Sequence, residues 1–123
     1  MSGVRMKAGW VQKFANAFRG LAVGVGGQNS FKVHIPVACL VVAAMFWLQL
    51  NLVQCAVLLI CIAMVLVCEL INSSLEKLAK AITSQYDADV RDALDIASGA
   101  VLLASAFSVV IGGMVLLQSL LAI

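Results

Sequence analysis

Two long stretches of this chain contain no acidic or basic side chain apart from one histidine, and they limit the fold more than any other feature. Residues 33–68 hold no Lys, Arg, Asp or Glu, and none occurs after Asp95. Overall, 63% of the residues are hydrophobic and 11% are charged, whereas an ordinary soluble domain has about 25% charged residues. Because a membrane span needs about 20 apolar residues with their backbone groups bonded internally, the sequence predicts a small all-α membrane protein.

The apolar runs and the polar breaks between them predict four helices. One is an amphipathic helix at residues 8–25, and three contain transmembrane spans, at residues 33–50, 52–84 and 92–122. Pro36 falls near the start of the first span, where its missing N–H does least harm. The charge cluster at 85–95 is predicted to be the loop between the last two helices.

The first helix is predicted to lie in the membrane surface. Trp10, Phe14 and Phe18 recur at helical spacing on one side, a pattern typical of an interfacial helix; packing against other protein helices is the alternative. Four glycines follow and indicate a hinge before the first span rather than a nucleotide loop, because no GK[ST] motif follows them. They are Gly20, Gly24, Gly26 and Gly27.

The positions of the basic residues predict the orientation of the chain. All eight Lys and Arg residues lie in the N-terminal arm, at Lys32, or near the charge cluster between the second and third spans. The link at Asn51 has no charge. The positive-inside rule then places the N-terminus inside and the C-terminus outside. The net charge of +2 is too small to indicate a nucleic-acid partner, and the four cysteines have no metal-binding spacing.

A group of polar side chains follows directly on the apolar run that ends at Cys68. At 3.6 residues per turn, Glu69, Asn72, Ser73 and Glu76 share one helical face. A charged residue near the bilayer centre costs ~2.5–3.5 kcal/mol even on lenient scales, so a functional site is the first interpretation. One carboxylate would accept a proton and the other would bind a hard cation. The alternative is that both simply reach the headgroups.

Four segments together resemble the small trimeric prokaryotic lipid kinases, the diacylglycerol kinase and undecaprenol kinase family. They are FANAFRGL at 14–21, NSFKVH at 29–34, ELINSSLE at 69–76 and DIASGAV at 95–101. The resemblance implies a surface helix plus three spans, assembled as a homotrimer with composite sites at the cytoplasmic face of the bacterial inner membrane. It also implies transfer of the ATP γ-phosphate to a membrane lipid alcohol, with Mg²⁺.

The resemblance also assigns roles to individual residues. Glu69 is similar in position to the family's general base, and Glu76 to a magnesium ligand, with Gln28 at the place of a second metal ligand. The implied ATP contacts are Asn16, Asn72, Gln85, Tyr86, Asp87 and Asp95. The implied lipid contacts are Phe31, Trp47 and Ser98.

Three departures from the family pattern leave the activity open. Gln28 and Leu94 replace a glutamate and a lysine, and Lys80 replaces an aspartate. Lys80 lies one turn beyond Glu76, so it could reach the phosphates instead of the missing lysine, or simply form an ion pair with Glu76. The first hypothesis is a kinase for undecaprenol or diacylglycerol. The second is a homologue without kinase activity that binds or processes a lipid or a phosphorylated headgroup, and the third is a scaffold without a ligand.

Overall fold

A computed structural model of the chain describes residues 9–27 and 31–122, and its four elements are all α-helices. Helix α1 runs over Trp10–Gly26, α2 over Phe31–Trp47, α3 over Leu52–Ile82 and α4 over Ala88–Leu121. The predicted all-α class is confirmed. Gln28 lies outside the described residues, so its predicted metal-binding role has no structural description.

Helices α3 and α4 pack as an antiparallel hairpin and provide most of the contacts between elements. Gln54 Nε2 on α3 donates to Ser119 Oγ on α4 at 3.3 Å. Further along, Ser108 Oγ donates to the backbone carbonyl of Cys61 at 3.2 Å. These two bonds show the register of the hairpin: residues near the start of α4 lie beside the second half of α3, where Glu69 and Glu76 are found.

Two of the four helices are long and apolar enough to cross a membrane, namely α3 with 31 residues and α4 with 34. Helix α2 has 17 residues, about 25 Å, which is shorter than the ~30 Å hydrocarbon core. It meets the same test only together with α1, from which it is bent by 105°. The third span therefore stays a prediction.

Proline lies deeper in α2 than the sequence pattern suggested. The helix begins at Phe31 and ends at Trp47, two to three residues earlier than the predicted range 33–50, and Pro36 is inside it. Pro36 cannot donate to the carbonyl of Lys32, so α2 lacks one backbone bond in its second turn.

The predicted loop at 85–95 is mostly helical. Helix α4 begins at Ala88, four residues before the predicted start at 92, because Asp87 caps it: its Oδ1 accepts from the backbone N–H groups of Asp89 and Val90. Asp89 in the first turn also complements the positive helix end. The true connection is the short segment 83–87.

The glycine-rich segment is also more helical than predicted, because α1 continues through Gly20 and Gly24 to Gly26. Gly24 faces α3 closely: a Cβ atom there would lie 2.6 Å from Leu70 Cδ2. Its lack of a side chain therefore lets α1 approach α3, which is a packing role and not that of a hinge.

Asn51 begins α3 with a reciprocal cap. Its side chain accepts from Gln54 N at 2.8 Å, and its own N–H donates to Gln54 Oε1 at 3.1 Å. We expect Asn51→Ala to lower the free energy of unfolding by about 1 kcal/mol, measured by thermal unfolding in detergent. Asn51→Ser keeps an acceptor and should lose less, whereas an Ala variant as stable as wild type would contradict this role for the cap.

Candidate functional site

The centre of the site is a carboxylate on α3 that is enclosed by protein. Glu69 is 2% exposed and Ser73, one turn later, is 5% exposed. Ser73 Oγ donates to the backbone carbonyl of Glu69 at 2.9 Å. These two are the only buried polar or charged residues among those the structure describes. The other two members of the predicted face, Asn72 and Glu76, are half-buried.

His34, near the start of α2, contacts this carboxylate. Its Nδ1 is in direct hydrogen-bonding contact with Glu69 Oε1. An ionised carboxylate can only accept hydrogen bonds, so with Glu69 ionised the hydrogen lies on Nδ1. The His34 side chain is 27% exposed, which makes it a link between the enclosed carboxylate and the outside of the helix bundle.

The second oxygen of the same carboxylate is left open. Glu69 Oε2 is buried and has no hydrogen-bond partner within the described residues. An unsatisfied buried acceptor costs about 1–3 kcal/mol, and more when it is charged. The described residues therefore leave this oxygen without the hydrogen-bond donor that a buried acceptor needs.

One to two turns further along α3, Asn72 and Glu76 form a second polar pair. Asn72 Nδ2 donates to Glu76 Oε1 at 3.2 Å. Asn72 Oδ1 is buried without a partner in the described part of the chain. A carboxylate beside an open amide oxygen is a donor set that suits Mg²⁺, which prefers oxygen ligands.

The pair alone does not make a complete metal site. Residues 9–27 and 31–122 contain no cluster of three or more His, Cys, Asp or Glu side chains that could hold a metal. Mg²⁺ is commonly bound by one or two carboxylates together with substrate phosphates. Glu76 and Asn72 thus fit one side of such a site, with the remaining oxygen ligands coming from elsewhere.

A cavity of about 280 Å³ opens beside His34 and is lined by α2, α3 and α4. Most of its wall is apolar, and includes Val41, Leu58 and Val65. Ser105 also lines it, and its hydroxyl is buried with no partner among the described residues. The cavity therefore offers an apolar space with a few polar groups, one of which touches Glu69.

The structure brings only some of the predicted nucleotide-contacting residues close to one another. The hairpin register brings Asp95 level with the turn of α3 that carries Glu76. Asp95 and Lys80 are both exposed. Asn16, on α1, accepts from Gln12 Nε2 at 3.0 Å. These roles remain predictions.

The connection 83–87 carries the other predicted nucleotide contacts. Gln85 N–H donates to Thr83 Oγ1 at 3.0 Å. The Tyr86 ring is exposed, with the Arg91 guanidinium 5.6 Å from its centroid. Asp87 is committed to the α4 cap through one oxygen, so any nucleotide contact would have to use the other.

The three predicted lipid contacts lie in different surroundings. Phe31 is buried against protein at 3% exposure, whereas Trp47 is 77% exposed at the other end of α2. The 13 residues from His34 to Trp47 correspond to about 20 Å of helix, so Trp47 is far from the carboxylate. Ser98 is exposed on α4. The structure does not bring these three together.

His34 and Ser105 are the site residues that sequence reasoning missed. The lone histidine reads as an interfacial hydrogen-bonding residue, and Ser105 looks like any small residue in an apolar run. A signal for His34 existed: residues 33–68 contain no Lys, Arg, Asp or Glu, and His34 is the one basic side chain among them. Pairing the two required knowing which face of α2 packs on α3.

The capping role of Asp87 can be tested by substitution. Asp87→Asn keeps an acceptor for the α4 cap, so we expect its thermal stability to match wild type, while Asp87→Ala should lose about 1 kcal/mol. Unfolding in detergent measures this. If Asp87→Asn is as destabilised as Asp87→Ala, the cap depends on the charge of Asp87 and not on its acceptor oxygen alone.

Comparison with known proteins gives two matches. The sequence model of a family described as prokaryotic diacylglycerol kinase matches residues 15–116. A protein of Synechocystis sp. named diacylglycerol kinase is 33% identical over 111 residues, which cover 89% of this chain and 63% of the relative. The chain thus spans less than two thirds of that relative's length. The matched range includes His34, Glu69, Asn72 and Glu76.

Proposed function

Because this chain belongs to the prokaryotic diacylglycerol kinase family, we propose that it transfers the γ-phosphate of ATP to the hydroxyl of a membrane lipid, either undecaprenol or diacylglycerol. The observation that carries the proposal is Glu69: a buried carboxylate with one oxygen unpartnered in the described chain, linked through His34 to an apolar cavity. Such a carboxylate is costly in a membrane protein unless it meets a ligand.

In this proposal Glu69 is the general base. Its Oε2 accepts the proton of the lipid hydroxyl as that oxygen attacks the γ-phosphorus. The apolar part of the lipid lies in the cavity along α2, α3 and α4. Phosphoryl transfer depends mainly on positioning and charge neutralisation, so an enclosed base and a separate cation site suffice.

In this proposal the phosphates of ATP bind next to Glu76, on the same face of α3 as Glu69 and two turns further along the helix. Glu76 and Asn72 would hold Mg²⁺, which when bound neutralises charge on the transferring phosphate. Gln28, Lys80 and Asp95 are further proposed contacts at this end, as are Asn16 and the segment Gln85, Tyr86 and Asp87. The Asn72–Glu76 hydrogen bond holds these two side chains next to each other on α3.

We also propose the family's homotrimer, in the bacterial inner membrane with the N-terminus inside. Support comes from the large apolar side chains that a single chain leaves uncovered, such as Ile60, Leu103 and Phe107. The basic residues near Glu76 agree with a cytoplasmic site.

A second function follows from the replaced residues. Leu94 has no charge where the family has a lysine for the phosphates, and losing such a group typically costs ~2.7–4 kcal/mol of transition-state stabilisation. A homologue that binds or processes a lipid or phosphorylated headgroup without using ATP would keep Glu69 and the cavity. It would not need a positively charged residue at position 94, where this chain has Leu94.

A phosphorylation assay separates the two. Purified protein in lipid with Mg²⁺ and γ-labelled ATP should label undecaprenol or diacylglycerol, tested side by side. Gln28→Glu/Leu94→Lys should raise the rate by at most about 10-fold if another cation already serves the phosphates. Activity that appears only in the double variant would show that wild type is not a kinase, and would favour the second function.

A further inference from the structure

The contact between His34 and Glu69 crosses from α2 to α3 and involves only one of the two carboxylate oxygens. The other oxygen, Oε2, is buried and without a partner in the described residues. A carboxyl group held at one oxygen cannot rotate freely about its terminal bond. The structure therefore distinguishes the two oxygens of Glu69, one used for holding and one left open.

We propose that His34 is the positioning residue of Glu69: its Nδ1–H holds Oε1, so that Oε2 is the oxygen that takes the proton of the lipid hydroxyl. This rests on the proposed kinase function. The balance of the step is simple. The lipid O–H bond breaks and its proton goes to Oε2, a bond forms between the lipid oxygen and the γ-phosphorus, and the bond from that phosphorus to ADP breaks with its electron pair leaving on ADP.

The surroundings of His34 support a positioning role over an ordinary surface hydrogen bond. His34 lines the cavity in which the lipid is proposed to lie, so it meets Glu69 at the boundary between the cavity and the carboxylate. The cavity's two serines, Ser105 and Ser108, both lie on α4, and the Ser108 hydroxyl donates to a backbone carbonyl of α3 rather than to the Glu69 side chain. Ser73 satisfies the backbone carbonyl of Glu69 but not its side chain. Within the described chain, His34 is thus the one group shown holding the carboxylate.

Three variants of His34 give different predictions. In His34→Asn the side-chain amide can place an N–H near the position of Nδ1, whereas in His34→Gln the amide lies one bond further out, and His34→Leu has no donor. We expect His34→Asn to keep kcat within about 3-fold of wild type. His34→Leu should lower kcat about 10- to 100-fold with the KM for the lipid nearly unchanged, because misplacing a reacting group by about 1 Å costs up to 10²-fold. His34→Gln should fall between them.

A different result is expected if His34 only stabilises the fold and does not position Glu69. All three variants would then lose activity in proportion to their loss of thermal stability, which is measured on the same samples. His34→Leu that retains wild-type kcat would overturn the proposal. So would a stably folded His34→Asn that is as slow as His34→Leu, because the donor position would then be irrelevant.

A second measurement does not depend on kinase activity. The chain contains one histidine, so ¹⁵N-histidine labelling gives a single pair of ring nitrogen signals by NMR. Nδ1 should carry the hydrogen, and Glu69→Gln should shift its signal while Glu76→Gln, the same change seven positions further on, leaves it unchanged. The proposal would be overturned if Nδ1 carries no hydrogen, or if its NMR signal is the same in Glu69→Gln as in wild type. If wild type phosphorylates no lipid but these shifts are seen, the kinase function fails and the His34–Glu69 pairing stands.

Discussion

Glu69→Gln is expected to reduce lipid phosphorylation about 10²- to 10⁴-fold, the range for removing a general base. Glutamine has nearly the same shape as glutamate and can still accept from His34 Nδ1–H, so the packing between α2 and α3 should persist. What is lost is the ability of Oε2 to accept a proton. Initial rates with labelled ATP, at saturating lipid and Mg²⁺, measure the effect.

The same variant should be at least as stable as wild type. Glu69 is a charge-bearing group that is 2% exposed, and a carboxylate of this kind costs folding energy in a membrane helix. A neutral amide removes that cost, so the midpoint of thermal unfolding should stay equal or rise. Asp92→Asn, an exposed carboxylate paired with Arg91 at 3.3 Å, is the matched control and should keep wild-type activity. Equal activity in Glu69→Gln and wild type would remove Glu69 from the mechanism.

Glu76→Gln is expected to lower the rate about 10²-fold at millimolar Mg²⁺, with partial recovery as the Mg²⁺ concentration rises. A neutral amide holds Mg²⁺ less well than a carboxylate does, and losing one stabilising group at a phosphoryl-transfer site costs on the order of 10²–10³ in rate. The measurement is the dependence of the rate on Mg²⁺ concentration at fixed ATP.

Glu76→Asp serves as the comparison for this second prediction. Aspartate keeps the charge but withdraws the carboxylate by one methylene, so the loss should be smaller and Mg²⁺ should restore more of the rate. Asn72→Ala should resemble a weak version of Glu76→Gln, since it removes both the open Oδ1 and the hydrogen bond to Glu76. If the Mg²⁺ dependence of Glu76→Gln equals that of wild type, Glu76 does not hold the cation.

The helical class of this protein and the polar face of α3 could be predicted from the sequence. Charge-free runs force backbone groups to bond within helices, and a 3.6-residue period places Glu69, Asn72, Ser73 and Glu76 together whatever surrounds them. The ends of the helices were harder to predict from the sequence. The pattern missed that Asp87 begins α4 early and that Gly24 is a contact with Leu70, because capping and close approach depend on specific atoms rather than on hydrophobicity.

What only the tertiary structure decided is which groups meet across helices. His34, Glu69 and Ser105 lie on three consecutive helices, and His34 and Glu69 are 35 positions apart in the sequence, so no local period relates them. Their meeting depends on how α2 and α4 pack against α3, which is set by the shapes of many apolar side chains acting together. The sequence alone therefore determined that a costly carboxylate lies in an apolar helix. The packing determined that a histidine contacts one of its oxygens, while the other is buried without a partner among the described residues.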